Sequence, residues 1–184
     1  MLPALLLVYL TTTTLAVQLL QEPLLIDANS ASVSSSSQGL VYLIKHGEKP
    51  SNRKQRNLND RGLKRAKCLA EKYGTQGLDG IFCPKYNTKT LAHSRSCKTV
   101  EPLAKAASIN LNSQYKTHDV QGVVAAIREQ AKHGAVLVAW QHDYLAEIAT
   151  ALVGRKIKYK SGEFDTLWMY NTVTGEFVEG KQNC

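Results

Sequence analysis

Two six-residue runs, Gly39-Leu40-Val41-Tyr42-Leu43-Ile44 and Ala135-Val136-Leu137-Val138-Ala139-Trp140, are apolar at consecutive positions instead of alternate ones. A strand of that kind has to be covered on both faces, which is the situation of a central strand in a parallel sheet. Helical periodicities lie between and after the two runs. Leu63, Ala66, Leu69, Ala70 and Tyr73 share one face of a helix that Asp60 is expected to cap and Gly74 to close. Val120, Val123, Val124, Ile127 and Ala131 form a second stripe, with Asp119 as N-cap and Gly134 as stop. Leu145, Ile148, Ala149 and Leu152 form a third, ahead of Gly154. Another helical stretch starts in the polar region 92–99 and continues through Ala107, with Pro102 expected at a break or kink. Gly80-Ile81-Phe82-Cys83 reads as a short strand stopped by Pro84, and residues 164–177 as a terminal hairpin around Thr174-Gly175. The expected class is α/β, a three-layer sandwich with a mainly parallel sheet flanked by helices.

Each apolar run is followed at once by a histidine-bearing polar segment, Lys45-His46-Gly47 and Gln141-His142-Asp143. In open α/β sheets ligands bind beyond the C-terminal ends of strands, where strand order reverses. His46 and His142 are therefore expected to converge on one cleft. Charge says what such a cleft attracts. Against 15 Asp and Glu stand 23 Lys and Arg, a formal net charge of +8, and none of those cations precedes Lys45. The basic body favours anions, whether phosphate esters, nucleic acid or anionic lipid, and charge alone does not choose among them. Nucleic acid as a partner lacks support, because no recognisable motif and no aromatic interleaving accompanies the charge.

The 184 residues make one domain's worth of chain. Residues 1–27, uncharged up to Glu22 and opening on the run Leu2 to Leu10, read as a signal peptide or, uncleaved, a membrane anchor, or else a buried N-terminal extension. Secretion is thus the expected location, and a membrane is a partner only through this segment. Residues 28–38 read as a Ser-rich linker and 39–184 as the folded domain. Cys68, Cys83, Cys97 and Cys184 permit two disulfides, or else buried small side chains with a free terminal thiol. They form no zinc pattern, and none has Arg six positions on, which excludes a Cys-x5-Arg phosphatase.

The motifs now combine. Leu43-Ile44-Lys45-His46-Gly47-Glu48 resembles the Leu-Ile-Arg-His-Gly-Glu signature of the histidine phosphatase superfamily, the phosphoglycerate mutase-like proteins. Leu58-Asn59-Asp60-Arg61-Gly62-Leu63-Lys64-Arg65-Ala66 resembles that family's Leu-(Ser/Thr)-x-x-Gly-x-x-Arg-Ala helix start, and Arg95-Ser96-Cys97-Lys98-Thr99-Val100 its Arg-Ala-x-Gln-Thr-Ala segment. Val136 to His142 resembles the strand carrying its second histidine. Four ordered motifs cover about residues 39–154.

The resemblance implies a phosphoglycerate mutase-like fold and a phosphomonoester hydrolase that needs no metal or other cofactor. Its substrate would be a phosphorylated small molecule or a phosphopeptide. His46 would attack phosphorus and become a phosphohistidine. Lys45, Arg95 and His142 would bind the phosphoryl oxygens. Asp143 would be the acid that protonates the leaving oxygen, as in the acid-phosphatase branch. In the mutase branch the acid lies in a more distant segment, where Asp119 is the nearest carboxylate and has an N-cap as its other reading. Glu48 is expected to orient the pocket through hydrogen bonds or an ion pair. Lys45 departs from the family's arginine: it keeps the charge and loses the planar two-pronged fork. A catalytically impaired phosphate-ligand-binding protein is therefore the alternative, and a phosphoglycerate mutase a more distant one. Lys49, Arg53, Lys54, Arg56, Lys85 and Lys89 are read as a positive rim or as solvated loops, and His93 as a surface histidine near the cleft mouth.

Overall fold

The computed structural model describes residues 37–184, with Arg53 and Ser161 excepted. The proposed signal or anchor segment 1–27 lies outside the described residues. Of the linker, Ser37 and Gln38 are described, in a turn where Leu40 N donates to Ser37 O at 3.3 Å. All of this belongs to one unit, Val33–Cys184. Among the described residues no helix is long and apolar enough to cross a membrane.

The chain runs β1 (Leu40–Lys45), α1 (Asp60–Tyr73), β2 (Leu78–Phe82), α2 (Arg95–Ala106), β3 (Leu111–Asn112), α3 (Val120–Ala131), β4 (Ala135–Trp140), α4 (His142–Val153), β5 (Thr166–Asn171) and β6 (Phe177–Lys181). One six-stranded sheet has the order β3-β2-β4-β1-β5-β6. Pairings among β3, β2, β4 and β1 are parallel, and the hairpin β5-β6 adds antiparallel to the edge of β1. The two all-apolar runs are thus adjacent central strands, in register Val41 with Val136 through Lys45 with Trp140.

Alternating strand side chains build two cores. Val41, Leu43, Val136, Val138 and Trp140 pack with Val123 and Ile127 of α3 and Leu145, Ile148 and Leu152 of α4. Ile44, Ile81, Leu137, Ala139 and Leu167 pack on the other face with Leu69 of α1 and Val100, Leu103 and Ala104 of α2. This is the three-layer sandwich that the alternation of strands and helices predicts.

Local details differ from expectation in places. Asn59, not Asp60, caps α1, accepting from Gly62 N at 3.0 Å. Leu63, expected on the apolar face, is exposed, because Gly62, Arg65, Ala66 and Leu69 make up the buried face. Helix α2 runs through Pro102, so of the expected break or kink the break does not occur. Val100, Leu103 and Ala104 on either side are buried, and that packing outweighs a local penalty of about 3 kcal/mol. The two-residue strand β3 has too little periodicity to show in sequence. All four cysteines are paired, Cys68 with Cys184 and Cys83 with Cys97, so the free-terminal-thiol alternative does not hold.

Candidate active site

Because β1 and β4 are parallel neighbours, the chain leaves both at the same end of the sheet. His46 N still donates to Trp140 O, at 3.1 Å, and His142 opens α4 two residues after Trp140. A cleft of about 490 Å³ lies beyond these strand ends, and Lys45, His46, Arg95, His142 and Asp143 all line it. Asp119 does not line it. Its carboxylate caps α3, accepting from Gly122 N at 3.1 Å.

His46 is 8% exposed, and its Nδ1 lies 2.7 Å from Gly47 O. A carbonyl only accepts, so in the neutral ring Nδ1 carries the proton and Nε2 keeps its lone pair. Burial, reinforced by the charges of Lys45, Arg95 and Lys49 and partly opposed by the Gly47 hydrogen bond, lowers the imidazole's pKa to about 4. At neutral pH the ring is an uncharged base beside cations. The loop that carries it is fixed twice over. Gly47 N donates to Thr99 Oγ1 at 2.7 Å, and that hydroxyl donates to Arg95 O at 2.7 Å. Asn59 N donates to Glu48 O at 3.0 Å, and a Cβ on Gly62 would come within 2.5 Å of that same oxygen. Glycine at 62 is what lets α1 start against the histidine loop.

Lys45 is buried at the base of the cleft, where its Nζ donates to Glu163 O at 3.1 Å and sits 3.8 Å from the centroid of the Phe164 ring. Burial, then Lys49, pushes its pKa down, against the pull of Glu48, Asp143 and Glu163. Phe164 also meets the His46 ring edge to face, centroids 6.0 Å apart. Arg95 reaches the cleft from the first turn of α2 while its Nη2 and Nε donate to Gln55 O at 2.7 Å and Asn57 O at 3.3 Å. His142 Nε2 lies 3.0 Å from Asp143 Oδ1, and both side chains are open to solvent.

Glu48 does not line the cleft. It is buried behind the His46 loop, where Arg65 Nη2 and Nε donate to its two carboxylate oxygens at 2.9 and 3.2 Å. Burial alone would raise its pKa, but these hydrogen bonds and its own backbone N–H hold it below the ordinary carboxylate range. Arg65 also donates to Asp165 Oδ1 at 3.0 Å and Gln182 Oε1 at 3.4 Å. Sequence reasoning gives no role to Arg65, Asp165 or Gln182, since nothing local links Arg65 to residues 100 and 117 positions away.

Of the proposed rim, Lys49 and Arg56 line the cleft; Lys54 and Lys89 do not, and Arg53 is outside the described residues. His93 is exposed, as expected, and is also part of the cleft wall, with its Nδ1 2.7 Å from Gln141 Nε2. Ser96 was overlooked. It lines the cleft, is 1% exposed, and its Oγ has no hydrogen-bond partner among the described residues. Its sequence signal was a serine where the resembled segment carries alanine. Among the described residues no group of three or more His, Cys, Asp or Glu side chains is placed to hold a metal ion.

No family model matches the chain, and no curated protein matches it by sequence. Solved structures do match. A protein from Agrobacterium tumefaciens assigned as the phosphohistidine phosphatase SixA superposes with a TM-score of 0.53 at 14% identity, covering 73% of this chain and 92% of that one. A variant of phosphoserine phosphatase from Entamoeba histolytica, in complex with phosphoserine, gives 0.53 at 11% identity, covering 77% and 95%. A mycobacterial glucosyl-3-phosphoglycerate phosphatase gives 0.52 at 12%, covering 79% and 98%. The chain has the phosphoglycerate mutase-like fold. In such a fold the cleft beyond β1 and β4 occupies the position that open α/β sheets use for ligands.

Proposed function

We propose that this chain hydrolyses phosphomonoesters through a phosphohistidine at His46. The observation that carries the reading is the single cleft lined by His46, His142, Lys45, Arg95 and Asp143, with His46 neutral and its Nε2 lone pair available. Nε2 would attack phosphorus in line as the P–O bond to the leaving group breaks, and Asp143 would give that oxygen its proton. Nδ1–H, held on Gly47 O, supports the positive charge that the ring gains. In the second half Asp143 would take a proton from water as its oxygen attacks phosphorus. The P–N bond then breaks, its electron pair returns to Nε2, and inorganic phosphate leaves. Lys45, Arg95 and His142 would offset charge on the phosphoryl oxygens, and the unpartnered Ser96 hydroxyl can add a hydrogen bond. Two disulfides support an oxidising compartment for the protein.

One observation favours a second reading, a phosphate-ligand-binding protein without turnover. Lys45 already has its charge engaged by Glu163 O and the Phe164 ring. Incubation with p-nitrophenyl phosphate from acid to neutral pH separates the two. The enzyme gives turnover that His46→Ala abolishes by at least a thousandfold. Absence of turnover together with phosphate-dependent thermal stabilisation establishes the binder instead.

A further inference from the structure

Next to the cleft lies a second recess of about 270 Å³, lined by Lys85, His93, Lys116, Thr117, His118, Gln141 and Tyr144. His93 and Gln141 line both hollows, and their mutual hydrogen bond forms the partition. The recess offers two lysines, two imidazoles and two hydroxyl groups and, among the described residues, no carboxylate. An amide nitrogen only donates, so Gln141 Nε2 gives its hydrogen to His93 Nδ1, and the neutral ring's own proton falls on Nε2, a donor left for a ligand.

Charge numbers point the same way. Among the described residues the main cleft holds Lys45, Lys49, Arg56 and Arg95 against one carboxylate, Asp143, and the recess adds Lys85 and Lys116. A phosphate monoester brings only about two negative charges at neutral pH. One phosphoryl group therefore leaves part of this positive charge unpaired. The segment that carries His93 also holds backbone strain. Leu91 and His93 both have positive φ, 56° and 65°, a conformation that strains a non-glycine residue. Such strain persists where the surroundings impose it, and here Asn87 N donates to Ala92 O at 3.1 Å while Asn87 Oδ1 accepts from Lys89 N and Thr90 N.

We infer that the substrate carries a second anionic group, a phosphate or carboxylate remote from the reacting phosphoryl, and that this recess binds it across the His93–Gln141 partition. The inference rests on the cleft taking the reacting phosphoryl group, as proposed above. Lys85 and Lys116 supply charge, while His93, His118 and Tyr144 supply directional donors.

The test is a binding measurement that needs no turnover. In the full chain carrying His46→Ala, calorimetric titration compares hexyl phosphate with the 1,4-, 1,6- and 1,8-alkanediol bisphosphates. At least one bisphosphate is expected to bind tenfold or more tightly than hexyl phosphate, beyond the factor of two that two equivalent ends give by statistics. Adding Lys85→Ala and Lys116→Ala should bring that ratio below three. The inference is overturned if every bisphosphate binds within threefold of hexyl phosphate, or if the advantage survives the double substitution. Failure of the phosphatase reading shows separately, as absence of hydrolysis of any of these esters by the unsubstituted protein.

Discussion

His46 shows how one residue's surroundings set its chemistry. Its ring is buried, meets Phe164 edge to face and feels the charges of Lys45 and Arg95, so protonation is resisted until the pH is near 4. A neutral imidazole is a nucleophile at any pH above that. The expected outcome is an NMR titration of the His46 ring with its midpoint near 4; a midpoint near 6.5 refutes the assignment. Stability is linked to the same proton. The unfolded chain protonates this histidine near 6.5 and the folded chain only near 4, so the unfolded state binds more protons between those values. This histidine's contribution is therefore fully present above about 6.5 and is lost as pH falls toward 4. Denaturant unfolding across that window should show a pH slope that is smaller in His46→Ala.

Helix α1 acts on the site through where it begins. Asn59 caps it and donates to Lys49 O at 3.1 Å, Gly62 abuts the Glu48 backbone, and Arg65 one turn on holds the Glu48 carboxylate. The first turn is thus a template for the loop behind His46. Gly62→Ala tests this, because two effects oppose each other. An alanine inside a helix gains about 1 kcal/mol over glycine, but here its Cβ meets backbone atoms of Glu48 at 2.5 and 2.9 Å, which cannot yield as a side-chain tip would. Overpacking of that kind costs about 1–3 kcal/mol, so a net loss of stability is expected. Because the displaced atoms adjoin Gly47, kcat should fall at least tenfold as well. A variant as stable and active as the parent would remove α1 from the site's support.

Across the whole molecule, the C-terminal tail ties the sheet edge to the cleft. Cys184 is bonded to Cys68 of α1, Gln182 donates to Phe164 O and Thr166 O at 2.8 and 2.9 Å, and Phe164 covers Lys45 and His46. The Cys68–Cys184 bridge spans 116 residues and Cys83–Cys97 only 14. Loop-closure entropy assigns about 5 kcal/mol to the longer loop and about 3 to the shorter. Replacing Cys68 and Cys184 by serine should therefore lower unfolding free energy by about 2–5 kcal/mol and loosen Phe164, moving the His46 titration midpoint upward from 4. A loss under about 1 kcal/mol with the midpoint unmoved would separate the tail from the site.

Consecutive apolar residues at 40–44 and 135–140 require burial on both faces, and that alone predicts central strands, helices on either side and histidines at one end of a sheet. The stripes of α3 and α4 were equally legible, because their buried faces contain only apolar residues. The family resemblance placed Lys45, Arg95, His142 and Asp143 as candidates for the cleft they line. Other features depended on atoms far apart in the chain. Arg65 faces inward only because Glu48, Asp165 and Gln182 meet it there, and Asp119 turns to a cap because its carboxylate finds Gly122 N. The pairing of the cysteines, the covering of Lys45 and His46 by Phe164 and the recess behind His93 likewise arise only once the sheet has assembled. Local patterns report how a residue partitions between water and core, whereas the partner it meets there is fixed by packing.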